Sequence, residues 1–187
     1  MNIYTQFIVK ATWKKAALFT LIFLFFYVVA NFSNIGVAGL LKITGGANIL
    51  DFEFGFSQDE AYRMLEALGP EGRAFYLTKI LPVDFPFPFS YMLFFSGWIA
   101  LILKHIVIND KYKYILLIPV IAMAADWAEN AGIIAMLCNY PNISATAASL
   151  SSIAGMVKTV FTVGSFAAIG LLFIIMVIMK IASKKNK

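Results

Sequence analysis

The sequence predicts an all-α protein: a polytopic membrane four-helix bundle with a short amphipathic helix in the first outer loop. Three observations carry this. The 187-residue chain is 61% hydrophobic and only 13% charged, about half the charged share of an ordinary soluble domain. Its mean hydropathy is +0.82. Its apolar residues fall in four runs, each long enough to supply the ~20 residues that cross a ~30 Å hydrocarbon layer. Little chain is left for a separate soluble domain.

The first run covers residues 16–41 and is entered through Lys10, Lys14 and Lys15. A basic stretch followed by ~15 apolar residues also has the shape of a signal peptide. The lysines stand well inside the chain, however, and apolar character resumes after Asn34, so a retained helix is expected. The second run covers 82–104, the third 112–138 and the fourth 147–182.

Orientation follows from lysine and arginine placement. With both termini cytoplasmic, the inner segments hold ten basic residues: Lys10, Lys14, Lys15, Lys104, Lys111, Lys113, Lys180, Lys184, Lys185 and Lys187. The outer segments hold four: Lys42, Arg63, Arg73 and Lys79. The net charge of +5 is thus a topology signal for a multi-pass protein of the cell membrane, and a nucleic-acid partner is not needed to explain it.

The outer loop, 42–80, contains the one soluble-like stretch, "FSQDEAYRMLEALGPEG". Ser57 with Glu60 three residues on is a capping-box pattern. Ala61, Met64, Leu65 and Leu68 recur at helical spacing, and Gly69-Pro70 supplies a stop and a new start. The expectation is a short amphipathic helix over the outer mouth of the bundle or against the headgroups, preceded by an irregular linker.

The informative residues are polar ones inside the apolar runs. Counted from the inner lysines at ~1.5 Å per residue, Asp126 stands roughly 20 Å from the cytoplasmic boundary, Glu129 and Asn31 roughly 24 Å, Asp84 roughly 30 Å and Lys158 roughly 33 Å. All fall in the outer half, whereas the inner halves are nearly pure Leu, Ile, Phe, Val and Ala. Asp126, Glu129 and Asn130 are spaced i, i+3, i+4 and share a face. Asn31 and Asn34 are spaced to do so on the first helix, and Lys158, Thr162 and Ser165 on the fourth. A lone charge at the bilayer centre costs about 2.5–3.5 kcal/mol on insertion scales, so such groups turn inward and find partners. The expectation is a polar pocket over an apolar floor.

Candidate roles can be assigned. Two carboxylates one turn apart in low dielectric cannot both ionise cheaply, and a shared proton suits acid/base chemistry. Glu129 is expected to be the proton carrier and Asp126 the deeper, orienting group. Asp84, Asn130, Asn31, Asn34, Lys158 and Trp127 are candidate ligand-binding residues. Blander readings stand beside these. Lys158 can simply neutralise Glu129 or Asp126, or snorkel to the headgroups. The asparagines can tie helices together. Asp84, ahead of "FPFPF", can cap a helix. Pro86 and Pro88 disfavour helix at Phe85 and Phe87; if Asp84 is such a cap, the helix proper is short and 82–88 is irregular backbone, and otherwise the helix runs from 82.

One cysteine, Cys138, argues against paired-thiol redox chemistry, and one histidine, His105, far from the acids, argues against haem or a multi-histidine metal site. No cofactor or metal is expected. Gly155, Gly164 and Gly170, among small residues, suggest close helix packing.

The pair "YLTKILPVDFPFPFSYMLF" and "LIPVIAMAADWAENAGII" resembles a group of bacterial four-helix membrane proteins of unestablished activity. They combine an Asp before a Phe-Pro step with a later Asp-x-x-Glu-Asn. Asp84, Pro86, Asp126, Glu129 and Asn130 carry that resemblance, which covers residues 57–134. In architecture the chain is also similar to the EXPERA families, the emopamil-binding sterol isomerases and sigma-2 receptors, whose acid-lined pocket holds a sterol or lipophilic amine. It departs from them in having Asn31 and Asn34 instead of an acid on the first helix. Three function classes follow. The first is binding, or modification such as isomerisation, of a lipophilic ligand such as a lipid, sterol-like or polyprenoid molecule. The others are a small proton-coupled transporter and an accessory subunit of a membrane complex. Homo-oligomerisation is compatible with all three.

Overall fold

A computed structural model describes residues 3–106 and 110–185; of the inner lysines, Lys187 lies outside them. Four helical stretches are long and apolar enough to cross a membrane: Trp13–Thr44, Gly69–His105, Lys111–Asn139 and Ala145–Lys184. No strand occurs among the described residues. The protein is an all-α membrane protein.

A short helix, α1 (Ile3–Val9), precedes the first long one, α2 (Trp13–Phe32). Thr12 caps α2 by accepting from the Lys15 N–H at 3.3 Å. The chain breaks over 33–36, where the Ser33 hydroxyl turns back to the Val29 carbonyl. Gly36 lies so close to the Val29 and Ala30 carbonyls that a side chain has no room. A further helix, α3 (Val37–Thr44), ends at Gly45 in the left-handed region (φ 69°). Asn34 therefore sits in a break and does not share a helix face with Asn31.

The linker forms one 3₁₀ turn, Leu50–Phe52. Next come α4 (Gln58–Ala67) and α5 (Gly69–Phe75). The capping box forms as its spacing predicts: Ser57 Oγ accepts from the Glu60 N–H at 3.2 Å, and Glu60 Oε2 accepts from the Ser57 N–H at 2.8 Å. Those bonds hold the Glu60 carboxyl below its usual range, the backbone bond most. The box is complete above the ordinary carboxylate range and opens as pH falls through that lowered value. Ala61 and Leu65 are fully buried, in one cluster with Ile133, Met136 and Ala148 from the facing ends of the last two helices. An Arg73 guanidinium 3.9 Å over the Tyr140 ring, and Tyr62 stacked on the same ring, fasten the connection between those two helices. The amphipathic helix is thus a strut at the end of the bundle.

The second long stretch begins at Gly69, upstream of the expected 82. A π-helical turn, Tyr76–Ile80, leads into α6 (Leu81–Asp84), whose Pro82 has no N–H to return to Thr78. The main helix, α7 (Phe87–His105), follows. Of the two alternatives for 82–88, the structure shows the helical one, without a cap from Asp84. Phe85 and Pro86 keep right-handed helical angles, and only the hydrogen-bond ladder is interrupted. The Trp127 indole, which donates to the Phe85 carbonyl and stacks on its ring, ties the Phe-Pro step to the third long stretch.

After a 3₁₀ stretch, Asp110–Leu116, come α8 (Leu117–Asn139) and α9 (Ala145–Lys185). These two pack closely. A Cβ on Gly132 would come within 2.6 Å of Ser151, and one on Gly155 would strike the Glu129 carboxylate. Gly164 has one neighbour at 3.5 Å and Gly170 none within 4 Å, so close packing holds for the first half of α9 only. The outward faces of α2 and α9 expose Leu21, Phe25, Val160, Leu171 and Ile178, the surface that lipid would cover.

Buried side chains divide the bundle along its length. One cluster joins α3, α4 and α5 to the adjoining ends of α8 and α9. Another joins α1, the C-terminal half of α7, Leu116 and Leu172 of α9. The N-terminus, the α7–α8 connection and the C-terminal half of α9 therefore share one end. An aromatic layer of Phe23, Phe87, Tyr91, Phe94, Phe95 and Phe161 lies between them.

Candidate functional site

α8 places Asp126, Glu129 and Asn130 on its buried face; they are 3%, 0% and 5% exposed. The triplet's regular spacing predicts that shared face, but its three members have different partners. Asp126 Oδ2 accepts from the Tyr91 hydroxyl at 3.0 Å, and its Oδ1 from Asn130 Nδ2 at 3.4 Å. Asn130 Nδ2 also donates to Asp84 Oδ2 at 2.7 Å. Glu129 forms an ion pair with Lys158 of α9 and has no bond to Asp126. The Ser151 hydroxyl donates to the Glu129 backbone carbonyl at 2.9 Å, pinning α9 to α8 there. The Glu129 Oε1 and Asn130 Oδ1 atoms are buried without a hydrogen-bond partner.

Asp84 makes no cap; α7 begins without a side-chain cap bond. Trp127 reaches the same step from α8. Its indole N–H donates to the Phe85 carbonyl at 2.9 Å and its ring stacks on Phe85, with centroids 5.6 Å apart. The Asp-before-Phe-Pro and Asp-x-x-Glu-Asn stretches, distant in sequence, thus meet through Asn130–Asp84 and Trp127–Phe85.

A cavity of about 340 Å³ opens beside this meeting point. Asp51, Asp84, Asp126, Lys158 and Asn31 line its polar part, and Phe23, Phe87, Tyr91, Phe95 and Phe166 its aromatic part. Lys158, Thr159, Thr162, Val163 and Phe166 follow one another down α9, while Phe87, Tyr91 and Phe95 descend α7. Phe95 and Phe166 meet edge to face at 4.7 Å and close the floor. Its polar residues thus gather at one end and its aromatic residues at the other. Glu129, Asn130, Trp127 and Asn34 do not line the cavity. Asn34 accepts from Lys42 at 3.0 Å, outside it, and Ser165 bonds to the Phe161 carbonyl.

Asp51 is the main residue that sequence reasoning missed. Its 3₁₀ turn folds over the head of the cavity, and its carboxylate takes the Tyr76 hydroxyl and lies 3.7 Å from Lys158 Nζ. Lys158 Nζ also donates to the Asp51 carbonyl at 3.4 Å. The lid over the cavity is this turn, with Ile49 and Phe52 on its lining, and α4 contributes nothing to that lining. A partial signal was available: Asp51 and Glu53 are the two loop acids set among apolar residues, while Asp59, Glu60, Glu66 and Glu71 follow the polar face of a helix pattern, but nothing in the sequence separates Asp51 from Glu53. Tyr91 has a signal too, being one helical turn from both Phe87 and Phe95. Tyr76 has none.

Carboxylate oxygens of Asp51, Asp84 and Asp126 lie within 4.8 Å of one another. Three hard oxygen donors at that spacing suit a divalent cation of the calcium or magnesium kind, although the Lys158 ammonium beside Asp51 competes for the same charge. Counting Glu129, four carboxyls face one ammonium. Tyr76, Tyr91 and Asn130 supply neutral donors to three of them. Comparison with known protein families, with curated proteins and with solved structures finds no match for this chain.

Proposed function

We propose that this membrane protein binds a lipophilic ligand whose polar head meets the carboxylates and whose apolar body lies against the aromatic wall. The observation that carries this reading is the cavity itself, with Asp51, Asp84 and Asp126 at its head and Phe23, Phe95 and Phe166 at its foot. Its volume is at the low end of small-molecule sites. A single-chain or fused-ring amphiphile fits it better than a whole phospholipid. The surplus of carboxyls over ammonium favours a head that donates hydrogen bonds or carries positive charge. Any proton exchanged with the ligand falls to Asp126 or Asp84, which line the wall, and not to Glu129, which is engaged with Lys158 behind it. The aromatic floor argues against a continuous polar track, and so against a transporter. Kinship with the four-helix group belongs to the same proposal; the meeting of its two motif stretches at the cavity gives it a physical meaning.

The test is native mass spectrometry of protein released from mild detergent. Wild-type protein is expected to carry a bound lipophile in near-stoichiometric amount. Thr162→Trp, which fills the cavity from α9, is expected to lose it while keeping its melting temperature. Equal retention by both would end the reading.

We also propose that both termini face the cytoplasm of a cell-membrane protein, with the outer loop and its carboxylate lid facing out. After replacing the exposed Cys138 by serine, a cysteine at position 57 should react with an impermeant maleimide in intact cells. A cysteine at position 183 should react only after lysis. Labelling of position 183 in intact cells would reverse the orientation.

A further inference from the structure

The end of the bundle away from the carboxylates has a cleft of its own. It measures about 210 Å³ and lies between α1, the start of α2 and α7. Lys10 and Lys15 stand at its rim, and Phe7, Ala16, Phe19 and Gly97 form its apolar wall. Gly97 is needed there, because a Cβ would come 2.8 Å from the Phe19 ring. On the other flank of α1 runs an apolar groove of about 270 Å³, bounded by Tyr4, Met92, Leu93, Leu116 and Val120. The two share Ile3 and Phe7. Together they offer cations on one side of a short helix and a channel for hydrocarbon on the other.

Lys15 is held in place, and neither cleft lysine is neutralised. Lys15 Nζ donates to the Lys10 carbonyl at 3.0 Å, and the neighbouring Lys104 Nζ to the Ala11 carbonyl at 2.8 Å. Neither Lys10 nor Lys15 has a carboxylate partner among the described residues. An ammonium bound to one carbonyl keeps its charge and two further N–H donors. Trp13, 62% exposed, packs edge to face on Trp98 beside the cleft, the kind of side chain that settles at headgroup level.

We propose that this cleft binds the phosphate of an anionic phospholipid, with an acyl chain laid in the groove beside α1. Basic pockets between helices at a membrane face take such headgroups, each lysine adding about 1 kcal/mol near an anionic surface. The adjoining apolar groove is what selects a lipid over free phosphate. Lys14, in the same cluster but not on the cleft lining, separates a built site from diffuse attraction.

The experiment reconstitutes the full chain in vesicles of phosphatidylcholine with a minor share of phosphatidylglycerol, then measures by native mass spectrometry which lipid stays bound. Wild-type protein is expected to enrich phosphatidylglycerol. The double variant Lys10→Gln, Lys15→Gln should lose that enrichment by about tenfold or more, at about 1 kcal/mol per lysine, with an unchanged melting temperature. Lys14→Gln should keep it, and added inorganic phosphate should not displace the lipid. No preference for phosphatidylglycerol, an equal loss in Lys14→Gln, or displacement by inorganic phosphate would each overturn the proposal.

Discussion

Lys158→Met is expected to destabilise the protein by about 3–5 kcal/mol, the usual cost of removing one partner from a buried ion pair. Glu129 is fully buried and Lys158 is the cation paired with it. Lys158 also stands beside Asp51, so its loss leaves two carboxylates without their counter-charge. The cost should fall substantially when Glu129→Gln is added, because the amide needs no cation. Unfolding in detergent, followed by helix content, measures both. If the single variant lies within about 1 kcal/mol of wild type, the pair does not hold the α8–α9 contact, since surface-like ion pairs contribute no more than that.

Asp126→Asn is the second variant with a large expected effect, this time on ligand retention. Asp126 lines the cavity and Glu129 does not, so on the proposed reading Asp126 is the acid that faces the ligand. Asn keeps the size of the side chain and can still accept from Tyr91, so the fold should stand. Loss of the second acceptor oxygen should cut retention of the bound lipophile about fivefold or more, because a buried donor left without its partner costs about 1–3 kcal/mol. Glu129→Gln alone should lower stability and leave retention near that of wild type. The opposite ranking, with retention lost in Glu129→Gln and kept in Asp126→Asn, would return the ligand-facing role to Glu129.

Both variants show where sequence reasoning stopped. The 3.6-residue period places Asp126, Glu129 and Asn130 on one face of α8, but a shared face is not a shared environment. Glu129 lies where Gly155 lets α9 approach, and there the Lys158 ammonium takes it. Asp126, one turn earlier, meets α7 and the cavity. For Lys158 the blander reading is the one the structure carries: it pairs inward and does not snorkel. Asn31 and Asn34 show the same limit from the other side. Equal spacing suggested a common stripe, and the break at Ser33–Gly36 removed it.

The sequence by itself determined the class of the protein and that Asp126, Glu129 and Asn130 turn inward. Apolar runs of spanning length have few stable fates besides a helix in lipid, and charges within such runs must turn inward, because the cost of leaving them in hydrocarbon is local and independent of topology. The capping box at Ser57 and the stop at Gly69 were legible for the same reason, since their partners lie within four residues. What only the tertiary structure decided is which carboxyls meet. Asp51 arrives over the cavity on a linker turned by Gly45, Gly46 and Gly55, all at positive φ, and no periodicity encodes where such a linker lands. Asp84 meets Asn130 of α8 although the two stand 46 residues apart in sequence. Side-chain partners between distant segments depend on packing that forms after the helices do, and that packing made one acid a scaffold and its neighbour a wall of the cavity.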